Sequence, residues 1–239
     1  MSIKSRFRNG LLEFYDSVTF EHVKPLAPVV FEDDFLYRTL NVTDRWRAID
    51  VSSAGDTTPL VVADGASGIA RMPLDSTSEA QESGLDWNDQ RFFILNQGLI
   101  WEARVALQTL PTLLSEAVWG LAGDKNAVAD SVAESLWFKA DGDGVIVVEN
   151  DDTVNTNDDI ATGTTVTAGS FKIYRIDCTT ITNCKFYIDG VRVAAATTFN
   201  MSQVAGLKLQ PYFHNAKASG AGLGVLEVDK VTIWQKRSS

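Results

Sequence analysis

The residues able to do acid–base, nucleophilic or metal chemistry are few and scattered. Histidine occurs twice, at His22 and His214, and cysteine twice, at Cys178 and Cys184. His22 lies in an apolar N-terminal stretch. His214 lies in Pro211-Tyr212-Phe213-His214-Asn215, where a structural role is expected. No Gly-x-Ser-x-Gly elbow accompanies them, and no phosphate-cradling loop or dinucleotide fingerprint appears. No catalytic residue is therefore assigned. Two cysteines make neither a disulfide framework nor a four-ligand zinc site. They flank a turn, where reduced thiols are expected and a local disulfide is the alternative. Asp141, Asp143, Asp151, Asp152, Asp158 and Asp159 crowd one region and offer hard oxygen ligands. The Asp141-x-Asp143 spacing supplies only the start of an EF-hand loop, without helical flanks. No cofactor or metal is expected, calcium being the one candidate. Trp46 and Trp87 have charged or polar neighbours and are the candidate glycan-stacking residues.

The elements that would position these groups are strands. Leu99, Trp101, Ala103, Val105 and Leu107 alternate with Glu102 and Arg104. Another alternating run lies at 46–51, a short apolar strand at 91–95, and a last run at 226–234. Residues 135–140 and 145–149 flank the turn cluster Asp141-Gly142-Asp143-Gly144, which is a hairpin signature. Residues 171–177 and 185–188 form a second hairpin, and Asp189-Gly190 turns the chain into 191–193. Glu102 reads as a surface or bridging charge, and Trp101, Trp137 and Trp234 as fillers of a core. Asp124–Ser135 is the one stretch with spacing for a short helix or turn. Segments of this length and spacing point to an all-β sandwich or jelly roll.

The chain has 239 residues and a net charge of −10. Residues 1–30 hold four basic against three acidic groups, and the remainder seventeen against twenty-eight. The excess acid thus belongs to the body. It argues against nucleic acid and against an anionic membrane as partners. No apolar run is long enough to span a bilayer, and no secretory signal core is expected at the N-terminus. Two domains follow: an N-terminal arm over 1–30 and a sandwich over 31–239. The arm is expected to turn at 16–19 between short strands at 11–15 and 20–23. Its apolar residues Leu11, Leu12, Phe14, Tyr15, Phe20, Val23, Leu26 and Val29 are the candidate partner-binding set, because a lone hairpin is marginal in water.

Several pieces resemble a known pattern in order. Phe31-Glu32-Asp33-Asp34-Phe35 resembles the opening strand of concanavalin A-like, or laminin-G-like, jelly rolls. Gly98–Val105 is similar to their central strand, Trp119–Asp124 to the next strand and loop, Cys184–Val193 to the late hairpin, and Leu226–Trp234 to the closing strand. The resemblance implies a jelly roll of two antiparallel sheets over nearly all of 31–234. The layout, with an apolar arm before the jelly roll, looks like virion proteins of tailed bacteriophages. That likeness implies a non-enzymatic capsid decoration or cement protein, located on the virion and assembled in the host cytoplasm. Its partners would be the major capsid protein or other virion subunits, with a homo-oligomer, such as a trimer, expected. The alternative it implies is a carbohydrate-binding module that recognises host-surface glycans. Relatives that resemble laminarinases carry Glu-x-Asp-x-x-Glu on a strand. Glu149-Asn150-Asp151-Asp152-Thr153-Val154 lacks the third carboxylate and reads as a solvated acidic loop.

Overall fold

The computed structural model describes residues 3–8, 11–16, 18, 29–112, 114–142 and 144–237. It is an all-β sandwich of two antiparallel sheets, as the alternation predicts. The first sheet runs, in spatial order, β13 (Thr156–Thr165), β12 (Val145–Asp151), β11 (Ser135–Ala140), β10 (Ser115–Ala122), β17 (Lys208–Lys217), β7 (Gln81–Asp86) and β4 (Arg47–Val51), with β8 (Phe93–Ile94) beside the start of β17. The second runs β16 (Val191–Val193), β15 (Lys185–Ile188), β14 (Lys172–Cys178), β9 (Leu99–Thr109), β18 (Gly224–Gln235), β6 (Ala70–Leu74) and β5 (Leu60–Val61), with β3 (Val29–Asp33) also paired to β18. Runs of consecutive strands pair as hairpins (β10 to β13 and β14 to β16), while β17 and β18, late in the chain, pair with β10 and β7 and with β9, β6 and β3, the long-range pairing expected of a jelly roll.

The N-terminal stretch differs from its expectation. Leu11, Leu12, Phe14 and Tyr15 do lie in a strand, β2 (Leu11–Asp16), but its partner is β1 (Ile3–Arg8), not residues 20–23. Phe20, Val23 and Leu26 fall outside the described residues. Val29 begins β3, pairs with Gln235 and packs on the core.

Period-two alternation builds the interior. On the first sheet, Val148, Phe138, Trp119, Phe213 and Leu85 sit opposite one another on successive strands and face inward. Leu99, Trp101, Ala103, Val105 and Leu107 of β9 answer from the second sheet. The layers meet through rings: Trp119 and Tyr174 at 5.0 Å, Phe138 and Tyr174 at 4.9 Å, Trp101 and Phe213 at 5.9 Å between centroids. Each large side chain fully buried here contributes about 1.5–3 kcal/mol. Cys178 and Cys184 are free and buried in this core, at the mouth of the β14–β15 hairpin, and burial pushes the Cys178 thiol well up. The turn Asp189-Gly190 has φ of 49° and 79°, the two positive values a type I′ turn demands.

Trp137 and Trp234 are not in the sandwich interior. Trp234 lies half-buried on the outer face of the second sheet, with the Arg175 guanidinium 5.4 Å from its ring. Trp137 lies on the outer face of the first sheet, in a separate apolar cluster with Ile49, Val118, Ala122, Ala129, Val132 and Tyr212. Residues 123–134 cover that face as an irregular strap whose only helical turn is Ala129–Ser131, in place of the short helix the spacing allows.

Candidate functional site

Two places gather functional side chains. The larger is a cleft of about 910 Å³ at one edge of the sandwich. It lies where β3, an edge segment of the second sheet, faces the start of β4, the edge strand of the first. Phe31, Trp46, Trp87 and Phe92 supply its apolar surface, and Asp44, Arg45, Asn88 and Gln90 its polar rim. Trp46 is only 2% exposed. Its indole N–H donates to Asp33 Oδ2 at 2.9 Å, so it backs the wall rather than offering a free face. Asp33 holds this corner together, since it also accepts from the Phe35 N–H and from the Tyr37 hydroxyl at 2.6 Å. Trp87 is half-buried against Phe31 at 4.8 Å, Phe93 at 5.1 Å and Phe92 at 5.8 Å. Phe92 is 59% exposed and gives the cleft an open aromatic surface. Sequence reasoning named Trp46 and Trp87 and missed Phe92. Its signal was an apolar residue out of register beside Phe93 in a two-residue strand.

The second place is the outer face of the first sheet. Strand registers lay out its side chains in rows. Glu149, Trp137, Gly120 and Tyr212 are successive cross-strand neighbours. Val147, Lys139, Val118, His214, Gly84 and Ile49 form the next row. Glu116, Ala216 and Glu82 form a third. Gly120 carries no side chain, so the rings of Trp137 and Tyr212 close over it, 5.8 Å apart and 22° from parallel. A Cβ on Gly120 would lie 2.5 Å from the Leu136 carbonyl oxygen.

Glu149 is the centre of this face. It is 5% exposed and lies in a strand, which corrects the reading of its segment as a solvated loop. Nearby Asp152 is buried too, its carboxylate taken up by the N–H groups of Val154, Asn155 and Gln203. Glu149 accepts from the Trp137 indole at 2.8 Å and from the Lys139 ammonium at 2.9 Å. Burial nevertheless pushes its carboxyl up to about 7. Burial likewise raises Glu116, with Asp130 adding to the rise. For Lys139, burial works against the charge, but the bonds to Glu149 and Asp130 outweigh it and raise its pKa. Beside them, His214 Nε2 is 3.1 Å from Glu82, and Lys125 pairs with the same carboxylate at 2.6 Å. Burial raises Glu82, yet the His214 and Lys125 bonds prevail and hold it at about 2.

Carboxylate oxygens of Asp130, Glu149 and Asp158 lie within 4.8 Å of one another, a grouping able to hold a cation. The Lys139 ammonium already sits in this neighbourhood, 3.0 Å from Asp130 and 3.3 Å from Asp159 as well as bound to Glu149. Of the calcium candidates read from sequence, only Asp158 belongs to the group. Asp143 is outside the described residues. Glu102 pairs with Arg175 of the neighbouring strand at 3.7 Å, as a bridging charge does.

No protein-family profile and no curated protein matches the sequence. Solved structures do match the fold. The chain is similar to a family 16 endo-glucanase from Bacteroides ovatus (TM-score 0.57, 13% identity, 85% of this chain and 99% of that one). It is similar to the carbohydrate recognition domain of Emp47p (TM-score 0.52, 9% identity, 87% and 95%). It is also similar to the potassium-bound carbohydrate recognition domain of Emp46p (TM-score 0.53, 9% identity, 86% and 96%). The concanavalin A-like jelly roll is thereby established, and at these identities the likeness carries the fold alone. These matches correct the expectation of a bacteriophage capsid decoration protein. They correct with it the capsid and virion-subunit partners, the capsid trimer, the virion location and the exclusion of enzymatic activity. The fold is shared with sugar-recognising domains and a glucanase, so an apolar arm before a jelly roll did not discriminate a virion protein from these.

Proposed function

We propose that the protein binds carbohydrate, and that the cleft beside Trp87 and Phe92 is its saccharide site. The exposed face of Phe92 carries the proposal. A sugar ring presents an apolar C–H face to an aromatic ring and hydroxyls to planar polar groups around it. Phe92 and Trp87 supply the first, and Asn88, Gln90, Asp44 and Arg45 the second. Trp46 acts beneath them by holding the wall rigid through Asp33. The solved structures of like fold whose names specify carbohydrate recognition support the reading. Binding is proposed to be independent of calcium, because an ion at Asp130, Glu149 and Asp158 would compete with the Lys139 ammonium. A glycan array probed with and without calcium tests both statements. Retention of at least one glycan in both conditions is expected; silence across the array would sink the first, and signal only with calcium the second.

A second reading, hydrolysis of a bound glycan, is favoured by one observation. Glu149, whose carboxyl burial pushes up to about 7, has its oxygens within 4.8 Å of those of Asp130 and Asp158, a grouping of carboxyl groups of the kind glycosidic cleavage uses. Release of reducing sugar that disappears in Glu149→Gln would support it. Equal release by that variant would exclude Glu149.

A further inference from the structure

The outer face of the first sheet is covered by the chain's own strap, and the cover is chemically unlike what it covers. Beneath it lie the near-parallel rings of Trp137 and Tyr212, flanked by Glu149, Lys139, Glu116 and His214. The strap supplies only two buried apolar side chains, Ala129 and Val132, while Val128 at its tip is half exposed. Its hold on the sheet is otherwise polar. Lys125 pairs with Glu82 at one end, Asp130 pairs with Lys139 at the other, and Arg91 ties down Asp124 and Glu134. The Asn126 carbonyl is only 3.5 Å from the Tyr212 hydroxyl, at the outer limit of a hydrogen bond.

One group under the strap is incomplete. His214 is 1% exposed, Nε2 is engaged by Glu82, and Nδ1 has no hydrogen-bond partner among the described residues. A buried imidazole nitrogen left unpaired is costly and marks a place where something else completes the site. A small cavity of about 110 Å³ opens at the same face, lined by Ala129 and Asp130 of the strap together with Trp137, Glu149, Asn157 and Asp158.

We propose that residues 123–134 are a self-occluding strap, latched by Lys125–Glu82 and Asp130–Lys139, that closes a second saccharide-binding face floored by Trp137 and Tyr212. Opening breaks two ion pairs and removes Ala129 and Val132 from the aromatic floor, a small apolar area for the ring face it frees. A sugar ring stacked there restores the lost contact, and its hydroxyls take up the freed Lys139 ammonium and the unpaired Nδ1 of His214. This inference does not rest on the edge cleft, and the two are separable.

The test breaks the latch at both ends with Lys125→Ala/Asp130→Ala. Hydrogen exchange at residues 124–131 is expected to speed up at least tenfold. Calorimetry with a panel of neutral hexaoses is then expected to show one more binding site than the parent chain, and that site should persist when Phe92→Ala removes the cleft. Trp137→Phe in the unlatched chain should weaken the added site at least fivefold without slowing exchange again. Asp130→Asn alone, which removes one charge and keeps the group's size, gives an intermediate exchange rate and serves where the double variant folds poorly. Unchanged exchange in the unlatched chain overturns the latch. Faster exchange without any added site across the panel overturns the binding face.

Discussion

Replacing Lys139 by Met should destabilise the protein in a strongly pH-dependent way. The ammonium is 4% exposed and bonds to Glu149, Asp130 and Asp159, of which only Glu149 is buried. The exposed partners are surface pairs worth about 0–1 kcal/mol each. Glu149 is different, because removing one member of a buried pair costs about 3–5 kcal/mol when the orphan must stay charged. The orphan can escape by keeping its proton. Its carboxyl already sits near 7, and without the lysine it rises further. A carboxyl raised on folding gives stability that is fully present below the ordinary carboxylate range and is lost as pH climbs through the folded value. At pH 5.5 Glu149 is neutral in the folded chain, so Lys139→Met should cost only about 1 kcal/mol, the surface part. At pH 8.5 holding the proton costs the variant about 1.4 kcal/mol for each pH unit above the parent's value near 7, and ionising in place is the alternative if cheaper, so with the surface part the cost should approach ~3 kcal/mol. Urea unfolding at the two pH values reads this as a shift in midpoint at constant slope. Adding Glu149→Gln should recover most of the loss at pH 8.5 and little at pH 5.5. Equal destabilisation at both pH values, or no recovery in the double variant, would refute the assignment of Lys139 as the counterion of a buried acid.

Two further substitutions probe the frame around the sites. Lys217 is 3% exposed and its ammonium donates to the carbonyls of Asp75, Thr77 and Gly222 at 2.6–3.1 Å, tying two loops to β17. Lys217→Met should cost about 3 kcal/mol in urea unfolding, since buried carbonyls are left unpaired; a loss under about 1 kcal/mol would show that water replaces the ammonium. Gly120→Ala places a methyl 2.7 Å from the Trp137 Cα. It should cost about 1–3 kcal/mol and change the near-ultraviolet dichroism of the Trp137–Tyr212 pair, whereas a neutral effect would mean that the rings do not depend on the gap.

Much of the fold was legible because one face of many strands meets the core and the other meets water. β9 is the clearest case, with Trp101 and its alternate neighbours inward and Glu102 and Arg104 outward. The Asp189-Gly190 turn was legible for a stereochemical reason. β7 and β17 were not, because both of their faces are buried and polar residues such as Gln81, His214 and Asn215 sit inside. Pro211 argues against a central strand, yet it lies where the partner of β17 changes from β8 to β7. β13 is mostly polar, as an edge strand can be, with Ile160 packed against the core. The acidic face was hidden for a related reason. Glu149, Glu116, Glu82 and Lys139 come from separate strands, and nothing local to Glu149-Asn150-Asp151 reveals that a strap from 123–134 would bury it. Trp87 was legible as a candidate from its polar neighbours, while the burial of Trp46 depends on Asp33, thirteen residues away.

The central claim is that the edge cleft holds a saccharide against Phe92 and Trp87. Isothermal titration of the best array glycan into the parent chain and into Phe92→Ala tests it directly. Phe92 is 59% exposed, so its loss should leave the melting temperature within about 2 °C while weakening binding tenfold or more. A tight glycan whose affinity is unchanged in Phe92→Ala would contradict the account.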